Sequence, residues 1–312
     1  MPELQLDVLL PTYQRPELLL RTLASLAAAP RPEGLAVQVW VVDNNSRDST
    51  PDVVAEQQKQ FPIPLHYIVE TVQGLSPAMN AGIRASSGDL IGLINDDEEI
   101  DVHWYEVIHR IFTSTGYSFL GGPYIPRWGG ERPEWVVPEF GSVVGWVEAG
   151  DKPREYGDGF HGILMSGNAI VRRPVYEKAG LYNVALGRTN KGLLSCEDED
   201  MFGRVLAAGF RGLYSPELII HHYVPPERLT RRYHRKWCWG QGISKGVLAR
   251  TRSSGVVEVL GIPRWQIRQG LGGLVRAAKG KVGWAPAAES FEGELRVWSL
   301  AGYIHGRYFW KR

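Results

Sequence analysis

Two acidic clusters carry the chemistry this chain could perform. Asn95, Asp96, Asp97, Glu98 and Glu99 follow directly on the apolar run LIGLI at 90–94. That run is short and rich in aliphatic residues, the pattern of a buried strand. Adjacent carboxylates on the end of a buried strand repel one another, so solvent, basic side chains or a divalent cation must offset the repulsion. Clustered oxygens suit Mg2+ or Mn2+, which bridge a few carboxylates to a substrate phosphate. An acidic run can equally be a plain solvated turn. The second cluster is Glu197, Asp198, Glu199 and Asp200, ahead of a helical pattern at 201–208. Carboxylates are favoured at a helix start by its dipole, and that alone accounts for Glu199 or Asp200.

The elements that must position these clusters are legible in the first hundred residues. Apolar runs at 6–10, 37–42, 65–69 and 90–94 predict strands. Helical spacing at 17–29, a Ser-Thr-Pro start at 49–51 with a helix to about 60, and a helix over 74–85 lie between them. Strand–helix alternation with short connections predicts an α/β fold with a mostly parallel sheet. Three strand ends are polar: Pro11-Thr12-Tyr13, Asp43-Asn44-Asn45-Ser46 and Asn95-Asp96-Asp97. Ligands in open α/β sheets bind beyond the carboxyl ends of the strands, so three such ends in succession favour a nucleotide site. The first turn has neither G-x-G-x-x-G nor G-x-x-x-x-G-K-[ST], which argues against a nicotinamide oxidoreductase and a P-loop NTPase.

Composition bounds the rest. The chain has 312 residues, 44% hydrophobic and 22% charged, enough for a large core or a domain with an appendage. Cys196 and Cys238 are its two cysteines, which fits a reducing compartment better than a disulfide scaffold. The first residues lack the basic-then-apolar pattern of a secretory signal, and no apolar run nears the ~20 residues of a membrane span. Net charge is +1 but uneven: residues 228–312 hold 17 Lys and Arg against 4 Glu. A basic tail on an acidic body points to an anionic partner, with membrane surface and nucleic acid as candidates.

Residues 5–245 resemble a family 2 glycosyltransferase of the GT-A fold. The matching pieces are LLPTYQRPELLLRTLASL, VVDNNSRDST, GLSPAMNAGIRASSGDLIGLINDDE, GNAIVRRPVYEKAGLYN, CEDEDMFGRVLAAGF and IIHHYVPPERLT. The resemblance implies a nucleoside-diphosphate sugar as donor. Pro11, Thr12 and Tyr13 would line the base pocket and Asp43 would accept a hydrogen bond from the base, which favours UDP or dTDP. Asn45 belongs to the same polar strand end, and Asn80 and Arg84 would approach base and phosphates. Asn95 and Asp96 would face ribose, although the family usually has aspartate where Asn95 stands. Asp97 would ligate Mn2+ or Mg2+, with His222 reaching the metal or the diphosphate. Glu98 and Glu99 would be supporting or solvated neighbours. Asp198 would be the general base, with Glu197 in reserve, and one base opposite the leaving group implies inversion.

By this reading, 1–227 is the glycosyltransferase domain, with a nucleotide-binding half at 1–101 and an acceptor half at 102–227. Trp128, Trp135 and Trp146 in the latter are either sugar platforms or core anchors. Residues 228–312 form a basic, aromatic, mainly helical region that either contacts anionic membrane or caps the sheet. No nucleic-acid module is recognisable, so no nucleic acid is expected. The expected acceptor is a glycan or a lipid-linked sugar, the expected role cell-surface polysaccharide biosynthesis, and the expected place the cytoplasm, with peripheral contact to the cytoplasmic face of the membrane. The alternative is a noncatalytic nucleotide-sugar or glycan-binding protein on the same fold.

Overall fold

The computed structural model describes residues 3–157, 159–160, 162–189, 192–250 and 255–311. The ends of the two expected regions, residues 1, 2 and 312, lie outside the described residues, as does Arg252 of the basic tail. The chain forms two compact units. The first comprises Met1–Arg127, Trp146–Ala185 and Glu197–Tyr223; the second comprises Trp128–Gly145, Leu186–Cys196 and Val224–Arg312.

The first unit alternates strand and helix: β1 (Leu4–Thr12), α1 (Pro16–Ala28), β2 (Leu35–Asp43), α2 (Thr50–Gln58), β3 (Leu65–Val69), α3 (Leu75–Ala85) and β4 (Leu90–Leu93). It continues through β5 (Glu98–Ile100), α4 (Trp104–Ser114), β6 (Phe119–Gly121), β7 (Tyr124–Trp128), β8 (Arg154–Glu155), β9 (Ala169–Arg172), α5 (Arg173–Ala179), α6 (Glu197–Ala207), β10 (Gly212–Tyr214) and β11 (Ile220–Val224). Among the described residues, the main sheet has eight strands in the order β3-β2-β1-β4-β9-β6-β10-β8. Only β9 and β8 run against the rest, so the expected mostly parallel α/β sheet is what forms.

β1 is buried from its third residue to its last, as a central strand covered on both faces must be. Its alternating side chains divide the core. Leu6, Val8 and Leu10 pack with Leu19, Leu23 and Leu26 of α1 and Trp104 and Ile108 of α4. Leu9 faces the other way, onto Met79 and Ile83 of α3 and toward Met201 and Val205 of α6.

Register then places the strand ends. Thr12 pairs with Asp43 and Leu9 with Leu93. β9 starts where β4 ends, with Ala169 opposite Leu93. The carboxyl ends of β1, β2 and β4 and the amino end of β9 therefore share one edge. Not foreseen from the sequence are α4 and a small second sheet, β5-β11-β7, in which β11 runs antiparallel to β5.

The second unit adds α7 (Arg231–Leu248), the hairpin β12 (Glu258–Val259) and β13 (Ile262–Pro263), α8 (Arg264–Lys281) and α9 (Ala287–Tyr308). α7 and α9 meet backbone to backbone: a Cβ on Gly242 would overlap the Ser299 carbonyl, and one on Gly306 the Ile243 carbonyl. Gly242 and Gly246 on one helix, Gly302 and Gly306 on the other, each lie four apart and so on one face. Trp135 stands edge-on to His234 and to Phe291, each at 4.9 Å, beside Trp237 and Leu295. It is a core anchor of this unit rather than a sugar platform.

Candidate active site

The loops leaving β1 and β2 are built around buried carboxylates. The Leu9–Leu93 register sets Thr12 level with Asp96, and Thr12 Oγ1 donates to Asp96 Oδ2 at 2.8 Å. The Tyr13 amide also donates to Asp96. Pro11 is buried in the strand beside Val42. Arg15 places Nη1 3.3 Å from Asp96 Oδ1 and 3.3 Å from Asp97 Oδ2. That residue was not picked out from the sequence, where it looks like an ordinary basic residue before a helix. Its charge opposes the effect of burial on Asp96, and burial wins: with Asp97 adding repulsion, the Asp96 carboxyl is raised to about 6.

At the next strand end, Asp43 is 1% exposed. Its Oδ1 accepts from the Ser46 amide at 2.9 Å and its Oδ2 from the Tyr67 hydroxyl at 2.7 Å. Gln14 and Asn45 both take left-handed backbone, φ 53° and 64°, and the Gln14 amide donates to Ser46 Oγ at 2.9 Å. The two loops are thus tied together in conformations that cost energy and are often kept at functional sites. Asn45 itself is exposed; its neighbour Asn44 is buried and holds the loop before α3, donating to the Glu70 and Val72 carbonyls and accepting from the Gly74 amide at 2.7 Å.

The acidic turn differs from expectation at Asn95 and decides between the two expected roles at Glu98. Asn95 does not present its amide outward: Nδ2 donates to Glu98 Oε1 at 2.9 Å and its backbone amide to Glu98 Oε2 at 2.7 Å. Glu98 is not solvated but 1% exposed; burial first, then the Asp97 charge, hold its carboxyl well above the ordinary range. Glu99 is the solvent-side member, paired with Arg127. β11 runs beside this turn, with His222 opposite Glu98 and the Tyr223 amide bonded to the Asp97 carbonyl at 2.8 Å. His222 Nε2 consequently lies 3.7 Å from Asp97 Oδ1.

The second acidic cluster reaches the first through one short helical turn, Ser166–Asn168. Gly167 abuts the acidic turn so closely that a Cβ there would overlap Glu98 Oε1. Its neighbour Ser166 donates both its hydroxyl and its amide to Asp198. Asn168 completes the anchor, accepting from Trp104 Nε1 at 3.0 Å and donating to the Leu218 carbonyl at 2.7 Å. Asp198 therefore stands beside the strand ends although it comes from the first turn of α6. Burial raises its carboxyl to about 6 against the opposing Ser166 bonds, and Asp198 Oδ1 is a buried oxygen with no hydrogen-bond donor from the described residues. Glu197 is buried next to it, and Asp200 accepts from Arg204 Nε at 3.0 Å, a role internal to the helix.

Two expected residues sit differently. Asn80 is buried and its amide clamps Tyr182, donating to its carbonyl at 2.8 Å and accepting from its amide at 2.9 Å. Arg84 is exposed in the last turn of α3. The chain leaving that turn, Ser87 and Gly88, donates to Asp7 near the start of β1. Asp7 and Thr12 are ~16 Å apart along the strand, so Arg84 lies at the opposite edge and the phosphate role expected of it is corrected. Helices in such units run against the strands, which carries the last residue of α3 away from the site.

The donor set suits a divalent cation. Asp97 Oδ1 and His222 Nε2, 3.7 Å apart, fall within the span of two ligands of one octahedral ion, roughly 2.9 to 4.2 Å at the usual bond lengths. Among the described residues, no group of three or more His, Cys, Asp or Glu forms a complete cage. Asp97 and His222 would supply two ligands, leaving other positions for water or substrate phosphate oxygens.

Comparison with known proteins bears on the whole arrangement. The family described as Glycosyl transferase family 2 matches residues 7–180. Succinoglycan biosynthesis protein ExoM of Rhizobium meliloti (strain 1021) is 27% identical over 261 residues, covering 83% of this chain and 80% of the relative. Glucosyl-dolichyl phosphate glucuronosyltransferase of Haloferax volcanii is 23% identical over 180 residues, 56% of each chain. Among solved structures, the mannosyltransferase PcManGT of Pyrobaculum calidifontis, in complex with GDP-Man and Mn2+, superposes with a TM-score of 0.65 at 14% identity. The match covers 98% of this chain and 88% of that one.

Proposed function

The chain belongs to glycosyl transferase family 2, and from that premise we propose that it moves a sugar, with inversion and with a divalent cation, from a nucleoside-diphosphate donor to a hydroxyl of a glycan or lipid-linked acceptor. The chain is a glycosyltransferase of the GT-A fold. The observation that carries the finer reading is the Ser166–Gly167 link, which holds Asp198 against the turn that bears Asp96 and Asp97.

In this reading Asp198 removes the acceptor hydroxyl proton as that oxygen attacks the anomeric carbon. Its raised carboxyl suits a base working near neutrality. Attack from one side and departure of the nucleoside diphosphate from the other inverts the carbon in a single displacement. Asp43 accepts the imide N–H of a uracil or thymine base, and Thr12 and Arg15 hold Asp96 toward the ribose. Asp97 and His222 would hold Mn2+ or Mg2+, which supplies Lewis-acid stabilisation of the diphosphate when bound. The ExoM relative supports a place in polysaccharide biosynthesis, and the dolichyl phosphate named for the second relative supports a lipid-linked acceptor. Contact of the basic C-terminal region with anionic membrane, on the cytoplasmic face, would serve such an acceptor. Family membership weighs against the noncatalytic alternative, as does the joint presence of Asp96, Asp97 and Asp198.

A thermal-shift panel of UDP, dTDP, GDP and CDP, with and without Mn2+ or Mg2+, tests the donor side, because a ligand that binds the native state raises its melting temperature. GDP belongs in it because the solved relative holds GDP-Man. We expect a metal-dependent shift with UDP or dTDP. A flat response to every nucleotide would sink the reading.

A further inference from the structure

In the second unit, one helix is covered on one side only. α8 turns Gln266, Gly270 and Gly273 inward and packs on α9 so tightly that a Cβ on Gly273 would lie 2.5 Å from the Gly293 carbonyl. On its outer side, at helical spacing, lie Leu271, Val275 and Val282, which are 58%, 55% and 61% exposed. Exposed apolar side chains also lie just before and just after the helix. Leu260, in the turn of the hairpin that leads into α8, is 86% exposed, and Trp284, just after it, is 81% exposed. Leu260 also has φ 50°, a left-handed backbone that side chains rarely take, so an aliphatic group is held outward in an unfavourable conformation. Single exposed apolar residues are ordinary on any surface; several at helical spacing on one face, with more beside both helix ends, are not.

Along α8 the charges have one sign, and Glu258 of the hairpin is the acidic residue near Leu260. α8 contains Arg264, Arg268, Arg276, Lys279 and Lys281 and no Asp or Glu. Arg276 is tied to Glu292 of α9, while Arg264, Arg268, Lys279 and Lys281 are exposed. Apolar side chains between basic ones on one helical face are the make-up of a helix lying in the plane of a lipid interface. No helix of the described residues is long and apolar enough to cross a membrane.

We propose that the outer face of α8, with Leu260 and Trp284 at its two ends, is a docking surface for anionic lipid, seating its aliphatic groups among acyl chains and its Arg and Lys among headgroups. A second copy of the chain is a poorer occupant, because a two-fold contact would set the same basic face against itself. Nucleic acid would neutralise the charge but leave Leu271, Val275 and Val282 in water. The proposal deepens the membrane contact included in the proposed function, and it is measured without sugar transfer.

The test is co-sedimentation of the full chain with vesicles of phosphatidylcholine, with and without phosphatidylglycerol. We expect at least about tenfold tighter binding to the anionic vesicles, weakened by salt. Leu271→Glu with Val275→Glu should lower that binding at least about tenfold, with circular dichroism and the nucleotide-induced thermal shift unchanged. A second variant, Lys279→Gln with Lys281→Gln, should weaken binding to anionic vesicles and leave the melting temperature in place. Absence of binding to anionic vesicles, wild-type binding by both variants, or a dimer that the Leu271/Val275 variant dissolves would each overturn the proposal. The thermal shift of the same samples reports separately on the nucleotide site, so the two readings can fail independently.

Discussion

Thr12 Oγ1 donates to Asp96 Oδ2 at 2.8 Å, closing the gap between the ends of β1 and β4 across 84 residues of sequence. The bond is buried and its acceptor is a carboxylate that burial already disfavours. Thr12→Val keeps the shape and removes the donor. It should cost about 1–2 kcal/mol of stability and weaken nucleotide binding, which urea denaturation and a nucleotide titration would measure. Unchanged values in both would mean that the hydroxyl does not organise the site.

Arg15 lowers the Asp96 carboxyl that burial and Asp97 raise. Arg15→Gln should therefore move the Asp96 titration upward from about 6, seen by NMR of the side-chain carboxyl in the metal-free protein. Because the Arg15 side chain is 44% exposed, the loss of stability should stay below about 1 kcal/mol. A downward move of the titration would contradict the geometry.

With Asp198 as the proposed base, activity should depend on pH. Its carboxyl must be ionised, so kcat/KM should rise with pH through about 6 and level off above. Asp198→Asn should lower transfer by ~10²–10⁴-fold while leaving the nucleotide thermal shift intact. The same variant should alter stability with a defined sign. The folded-state value is raised above the ordinary 3.8, so this group's favourable contribution is complete below that value and is lost as pH rises through about 6. Removing the charge should thus stabilise the metal-free protein at alkaline pH by up to about 3 kcal/mol and change little near pH 4. Equal melting temperatures for the two proteins at alkaline pH would count against a desolvated Asp198 carboxyl.

Gly167 is placed by contact rather than by backbone conformation. Gly167→Ala should destabilise by about 1–3 kcal/mol and lower kcat, because the added methyl presses on Glu98 while Ser166, just before it, holds the proposed base Asp198. Glu98→Asp shortens the side chain that the methyl meets. Combined with Gly167→Ala, it should lose less than the sum of the two single losses, as a double-mutant cycle would read. Strict additivity would show that the two residues do not touch.

Much of the nucleotide half was legible because short parallel βα units leave little freedom. Once β1, β2 and β4 are recognised from their apolar runs, Thr12, Asp43 and Asp96 can only emerge at one edge. What was not legible depends on where a side chain turns. Asn95 and Glu98 look like two independent polar residues, yet they bond to each other within one turn. Arg84 follows the matched helix motif but sits at its far end, so spacing along the chain misled where the direction of the helix decides. Ser166-Gly167 has the composition of any loop, and only the antiparallel entry of β9 brings it to the site. The α7 and α9 glycines did carry a signal, four apart in both helices, which shows only when the two segments are compared.

A transferase selects which hydroxyl of its acceptor reacts by where it holds its base relative to the departing group. At Ser166–Asn168 that separation is spanned by neighbouring residues, Gly167 touching the acidic turn and Ser166 before it holding Asp198, the proposed base, with Asn168 pinning the end to Trp104 and Leu218. The stretch works as a gauge block, and a relative carrying one residue more or fewer in it would have to rebuild one end, shifting the reacting hydroxyl with it.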